Sequence, residues 1–256
     1  MSESVLLPTR KDEAWRYSDT DALDGMDLGT FDEWRDIEVA AGDTFRDCIV
    51  IEDTYGPSDA TELRRLRVKL GAGSTCELFA VVSSGRLGRV EIVVSLAEGA
   101  HFELGGIIIG GRDTTREIVT RVAHEEANAT SNQVVRAVHW GRGTGNFLGR
   151  IDVVSNAQKT DAAQSFKGLL LEKGASVNAV PQLEIFADDV KCEHGATVGQ
   201  LDEQARYYMA ARGLSPDQAR RLLVQAFIGD AFVALSDENE RERLMRVALD
   251  KLEQRV

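Results

Sequence analysis

The chain lacks most of the short signatures by which a sequence declares its chemistry. No apolar run approaches the length of a bilayer span. The opening residues, Met1-Ser-Glu-Ser-Val-Leu-Leu-Pro-Thr-Arg10, carry no secretory hydrophobic core. The expectation is a soluble, cytoplasmic protein with no membrane partner. Cysteine is scarce: Cys48, Cys76 and Cys192 are odd in number and far apart, which does not suggest a disulfide framework. No CxxC occurs, which argues against a zinc or iron–sulfur site built from one motif. Basic charge is also short: 30 Lys and Arg against 42 Asp and Glu leave a net charge of −12. Phosphate binding needs clustered Lys and Arg, so nucleic acid is not expected as a partner.

Catalytic motifs are missing as well. The glycine-rich stretch Gly141-Arg-Gly-Thr-Gly-Asn-Phe-Leu-Gly149 lacks the closing Gly-Lys-Ser/Thr of a P-loop and runs into a strand pattern, so it reads as a tight turn. His124-Glu-Glu-Ala-Asn128 has Asn128 where a zincin needs its second histidine. With no HxH, the histidines His101, His124 and His139 do not make a cupin-type cluster, and surface or satisfied core positions are expected. No nucleophile elbow G-x-S-x-G is found.

What is there is a long β pattern. Hydrophobic residues make up 43% of 256, enough for a substantial core. Residues 1–40 form an N-terminal segment marked by Pro8, Trp15 and Trp34, with Arg10–Tyr17 a short helix and Asp19–Thr30 a loop. Residues 41–200 read as many short strands, among them Thr75–Val82, Arg89–Leu96, Glu117–Ala123, Gln133–Val138, Phe147–Val154 and Leu183–Ala187. Gly71, Gly99, Ala127 and Ala157 mark turns at a loose period of just under thirty residues. That period fits a stacked β-solenoid, and an antiparallel sandwich or barrel fits the strands equally well. The six-residue repeat of a hexapeptide β-helix is absent.

Residues 201–256 turn helical. Leu201–Arg212 stops at Gly213. Ser215-Pro-Asp-Gln218 is a capping box with Pro at the first helical position. Ala219, Leu222, Leu223, Ala226, Phe227 and Ala234 form an apolar stripe, Ser236–Asn239 breaks it, and Leu244, Ala248 and Leu252 mark a last, charged helix. So few helices must pack on the β region or on another protein.

One stretch is chemically suggestive. Pro181–Glu203 opens with Leu183, Ile185 and Ala187 alternating against Glu184, Phe186 and Asp188, then places Cys192 and His194 two residues apart. On a strand this spacing puts both side chains on one face. Thiolate and imidazole suit iron or zinc, and two ligands are too few for a closed site. Taken alone, the motif fits a buried cysteine beside a hydrogen-bonded histidine better than a ligand pair.

Several blocks together resemble the SufB/SufD family of iron–sulfur cluster assembly scaffolds, on its SufD side. They are Leu7–Tyr17, Gly141–Val153, Lys159–Ser165, Leu169–Leu171, the Pro181–Glu203 run with Asp-Asp-Val-Lys-Cys-x-His-Gly-Ala-Thr-Val-Gly, Tyr207–Tyr208 and Arg212–Gly213. The resemblance spans nearly the whole chain. It implies a right-handed parallel β-helix flanked by helical segments, and a non-enzymatic subunit that pairs with a SufB-like paralogue and docks a SufC-like ABC ATPase. ATP-driven motion would then expose an interfacial assembly site. By motif match, His194 and Cys192 are the candidate iron or cluster ligands at the SufB interface. Tyr207, Tyr208, Arg212, Gly213, Leu222, Leu223 and Phe227 are the candidate SufC-docking residues. No cofactor is expected on the isolated chain. A transient cluster or iron belongs to the shared interface, and reduced flavin is associated with such complexes, although nothing in the residues marks a flavin site. Relatives also self-associate, so a homodimer is a further expectation. Two departures stand out: the chain is shorter than many relatives towards its N-terminus, and Glu193 stands where a small residue is usual. The rival readings are a metal-dependent enzyme or a homodimeric binding module on an all-β fold.

Overall fold

A computed structural model describes residues 6–52 and 59–254; the first five and last two residues of the terminal segments lie outside it. Twelve strands follow in order: β1 (Arg35–Val39), β2 (Thr44–Ile51), β3 (Thr61–Leu70), β4 (Thr75–Val82), β5 (Leu87–Leu96), β6 (His101–Gly110), β7 (Thr115–His124), β8 (Thr130–His139), β9 (Thr144–Val153), β10 (Asp161–Leu170), β11 (Ser176–Ile185) and β12 (Lys191–Gln200). Odd strands form one six-stranded sheet in the order β1-β3-β5-β7-β9-β11, and even strands the other, β12-β10-β8-β6-β4-β2. The pairings run parallel in both sheets. This resolves the open alternative in favour of a β-solenoid of about six turns. Each coil crosses from one sheet to the other, and Thr44, Thr75, His101, Thr130, Asp161 and Lys191 stack as one register column.

The turn period has a physical basis. One corner carries a left-handed residue in each of the first five coils: Gly42, Gly73, Gly99, then Asn128 and Lys159. Backbone bonds join these corners from coil to coil, as in Gly73 N–H to Glu98 O and Gly99 N–H to Ala127 O. Glycine takes such φ values without strain and asparagine tolerates them.

Alternate residues face inward and fill the solenoid with Val68, Ile92, Val94, Leu104, Ile118, Val122, Val135, Phe147 and Phe166. The Phe147 and Phe166 rings stack with centroids 5.4 Å apart. The outer face of the odd sheet is covered by the N-terminal segment. There a 3-10 turn at Glu13–Trp15 replaces the expected short helix. The stretch expected as a loop holds a second 3-10 turn, Thr20–Leu23, and the one-turn helix α1 (Leu28–Phe31). Asp27 caps α1 by accepting from Thr30 N–H. The Trp15 ring lies 3.8 Å from the Arg89 guanidinium. Arg89 and Glu117, both fully buried, pair at 2.6 Å, and the Ser18 hydroxyl donates to Glu117.

The C-terminal tail comprises α2 (Glu203–Ala211), α3 (Pro216–Gly229) and α4 (Glu238–Glu253); α3 and α4 cover the outer face of the even sheet, while α2 packs on α3 and buries no residue. The capping box forms as expected, with the Ser215 and Gln218 side chains bonding each other's backbone N–H. The apolar stripe is turned relative to the expectation. Ala219, Val224 and Ile228 are buried, whereas Leu222 is 44% exposed and Ala226 and Ala234 are exposed. The helix ends at Gly229, ahead of the expected break, and a 3-10 turn Asp230–Phe232 follows. Phe232 is fully buried, edge-on to Phe79. Packing on the sheet selects which side of α3 is buried, and periodicity alone does not see that sheet. Leu244, Ala248 and Leu252 are buried as expected. No helix among the described residues is long and apolar enough to cross a membrane.

Candidate functional site

The last rung of the solenoid is open. β11 and β12 end their sheets, each paired on one side only, and β12 is exposed at nearly every position. An edge strand offers unpaired N–H and C=O groups to another chain. Pro181, which has no N–H to offer, sits in β11 at such an edge. That proline explains why the sequence pattern shows only the Leu183 end of β11, a strand that begins at Ser176 and ends at Ile185.

Cys192 and His194 lie on β12 directly over Ala162 and Gln164. Those two are buried, so the thiol and the imidazole share the inward face of the final rung. In β11, Val177, Ala179, Pro181 and Leu183 stand over the inward-facing Gly145, Phe147, Gly149 and Ile151. The coil below is closed; the last one has no layer above it among the described residues. Cys192 is half-buried against Val153, Ala157, Ala162 and Ala187. Burial pushes its thiol pKa up, and the Asp161 carboxylate adds to the shift. His194 is exposed. Glu193 pairs in register with Ala163 and lies on the opposite face. On this last coil stand exposed apolar side chains, Phe186 at 65%, Val198 at 48% and Ile185 at 38%; the alternation marked Ile185 and Phe186 as strand residues without showing that they stay uncovered, and Val198 was not marked. The signal for Val198 was the alternation itself, which continues as Ala196 and Val198 beyond His194.

Among the described residues no group of three or more His, Cys, Asp and Glu is placed to hold a metal. The other histidines sit elsewhere. His101 bonds Thr130 at 2.7 Å, and His124 is buried with Nε2 3.0 Å from the Ser131 hydroxyl. His139 is fully buried, and burial with Arg116 nearby lowers its pKa to about 3. The glycine-rich stretch is the turn between β8 and β9, as expected, with Gly141 in the left-handed region.

The tail residues divide into two groups. Tyr207 and Tyr208 are 75% and 62% exposed. The Arg212 guanidinium lies 5.0 Å from the Tyr208 ring, Gly213 takes a positive φ after α2, and Leu222 projects outward. Leu223 is half-buried, and Phe227 packs partly into the core beneath the tail. The structure brings none of them into one cluster with Cys192 and His194. Val233, 75% exposed just after the Asp230–Phe232 turn, is an outward apolar residue that the sequence pattern did not mark.

Comparison with known proteins then places the fold. The model of the family described as "SUF system FeS cluster assembly, SufBD core domain" matches residues 48–227. The chain belongs to the SufBD core family. Among curated relatives, the iron–sulfur cluster assembly protein SufD of Escherichia coli is 36% identical over 148 residues, covering 58% of this chain and 35% of that protein. Protein ABCI7, chloroplastic, of Arabidopsis thaliana is 35% identical over 162 residues, 62% of this chain and 34% of its own length. An iron–sulfur cluster assembly SufBD family protein of Synechocystis is 30% identical over 182 residues, 70% of this chain and 40% of its own. The matched region thus spans well under half of each relative. The SufBD match takes in β10, β11 and β12 and reaches α3, so the open rung lies inside the family's core.

Proposed function

We propose that this chain is a non-enzymatic scaffold subunit of a Suf-type iron–sulfur assembly in the cytoplasm, and that its open last rung is half of an assembly site. One observation carries the reading: Cys192 and His194 share the inward face of a solenoid end that has no further coil above it among the described residues and exposed apolar side chains around it. Two soft or borderline donors cannot enclose a metal, and unpaired strand edges are suited to a second solenoid stacking end to end. A SufB-like paralogue seated there continues both sheets and supplies the remaining ligands. The iron–sulfur cluster is cargo, formed at the junction and passed on. Tyr207, Tyr208, Arg212 and Leu222, with the half-buried Leu223 and Phe227 behind them, form the docking face for a SufC-like ABC ATPase. Its ATP-driven movement pulls on α2, which follows β12 after two residues, and so works on the rung that holds the site. ATP chemistry belongs to the partner, because this chain has no phosphate loop of its own.

The test is His194→Ala in the chain co-expressed with SufB-like and SufC-like partners. The complex should keep its mass while cluster formation, followed by visible absorption and iron content, falls at least tenfold. Undiminished cluster formation would remove His194 from the site.

A further inference from the structure

The solenoid interior is apolar apart from a few polar positions, and one column of these leads to the open rung. The Thr120 hydroxyl donates to Gln133 Oε1 at 2.7 Å across the interior. Gln133 lies in register below Gln164, and Gln164 below His194. Gln133 is fully buried and Gln164 is 2% exposed. Yet Gln164 Oε1 and Nε2, and Gln133 Nε2, have no hydrogen-bond partner among the described residues. A buried carboxamide with both ends unpaired is costly, and an apolar residue of the same shape would avoid that cost.

The space for this amide is itself built. A Cβ at Gly149 would lie 2.1 Å from Gln164 Nε2 and 2.6 Å from Cδ, so Gln164 fits only because position 149 has no side chain. Phe147 and Phe166, the neighbouring inward residues on the same two strands, stack beside it and close that side to water. The next polar group along the column is the His194 imidazole.

We propose that Gln164 is the positioning residue of the open-rung site: its amide, unpaired in the structure and lying over Gly149, turns by side-chain rotation to hold one ring nitrogen of His194 so that the other faces out of the solenoid toward the incoming metal. This rests on the reading of His194 as a ligand, and it adds a residue that acts through the ligand rather than on the cargo. Paired residues on adjacent parallel strands are about 4.8 Å apart, within reach of a glutamine side chain. A metal-binding imidazole needs its second nitrogen held if the ring is to keep one tautomer and orientation. A carboxamide has an acceptor for a ring N–H and a donor for a ring lone pair, so it can serve either tautomer.

The experiment is nitrogen-15 NMR of the full chain without metal, at a fixed pH of about 8 where a free imidazole is neutral. The His194 signals are those missing from His194→Ala. Wild-type His194 should show one dominant tautomer with a slowly exchanging ring N–H. Gln164→Met should give the mixed tautomers and fast exchange of a free imidazole, at an equal or higher melting temperature. Gly149→Ala, which keeps the glutamine but displaces its amide, should give the same loss. A wild-type ring that already averages like free imidazole overturns the proposal, as does a ring signature unchanged in both variants. Normal cluster assembly in His194→Ala alongside the predicted ring changes would instead keep the positioning and reject the ligand role.

Discussion

At the residue scale, a few buried polar groups do work that the apolar pattern does not reveal. Arg89 and Glu117 pair with no exposure, beneath Trp15 and Ser18, and Asn146 donates to the second Glu117 oxygen. They fasten the N-terminal segment to the odd sheet. Removing Glu117 leaves the buried Arg89 guanidinium, for a carboxylate, only its longer contacts to Glu91 at 3.3 Å, so Glu117→Ala should cost about 3 kcal/mol in urea unfolding, the low end for a broken buried pair. His124 and His139 add a pH dependence. Burial lowers their pKa values from 6.5 to about 4 and about 3. Below pH 6.5 the unfolded chain takes up protons that the folded chain refuses, so this contribution is complete above pH 6.5 and is lost as pH falls towards 4 and 3. Urea midpoints should therefore drop between pH 7.5 and 5, and drop less in His139→Met. Neither histidine's burial was legible in sequence, because the pattern around each reads alike for a surface and an interior strand.

At the scale of elements, the strands were readable and their partners were not. Thr75–Val82 coincides with β4, and the other marked stretches fall largely on strands, because β-branched residues fill alternate inward positions. Parallel against antiparallel pairing depends on which coil lies next door, a long-range fact that short windows do not contain. The tail shows the same limit. Its capping box was legible, a local signal, whereas the side that α3 buries follows from the sheet beneath it. Gly105 marks that contact: a Cβ there would lie 2.1 Å from the Ala231 carbonyl oxygen. Close by, Arg136 holds Asp230 through two bonds, at 2.7 and 2.8 Å. Gly105→Ala should loosen the tail while leaving the solenoid intact, seen as faster hydrogen exchange confined to α3 and α4. Unchanged exchange there would show that the tail docks by other contacts.

At the scale of the whole molecule, β1 and β2 also end the two sheets, but the inward Ile37, Val39, Ile49 and Ile51 of that first coil are buried, whereas the inward positions of β11 and β12 are half-buried or exposed, so the last coil is the end that calls for a partner. The Cys192–His194 spacing was readable as a shared face; that the face belongs to the final rung was not, since nothing local says which coil is last. Its apolar rim of Phe186, Val198 and Ile185 should be buried by a partner, each side chain contributing about 1.5–3 kcal/mol when fully covered. The most direct test is the mass, by light scattering after gel filtration, of this chain co-expressed with a SufB-like paralogue, as wild type and as the double variant Phe186→Asp and Val198→Lys. The account predicts a stable assembly of the two chains for the wild type and separate, folded chains for the variant. An assembly that survives both substitutions, or a wild-type chain that never associates with the paralogue, would contradict it.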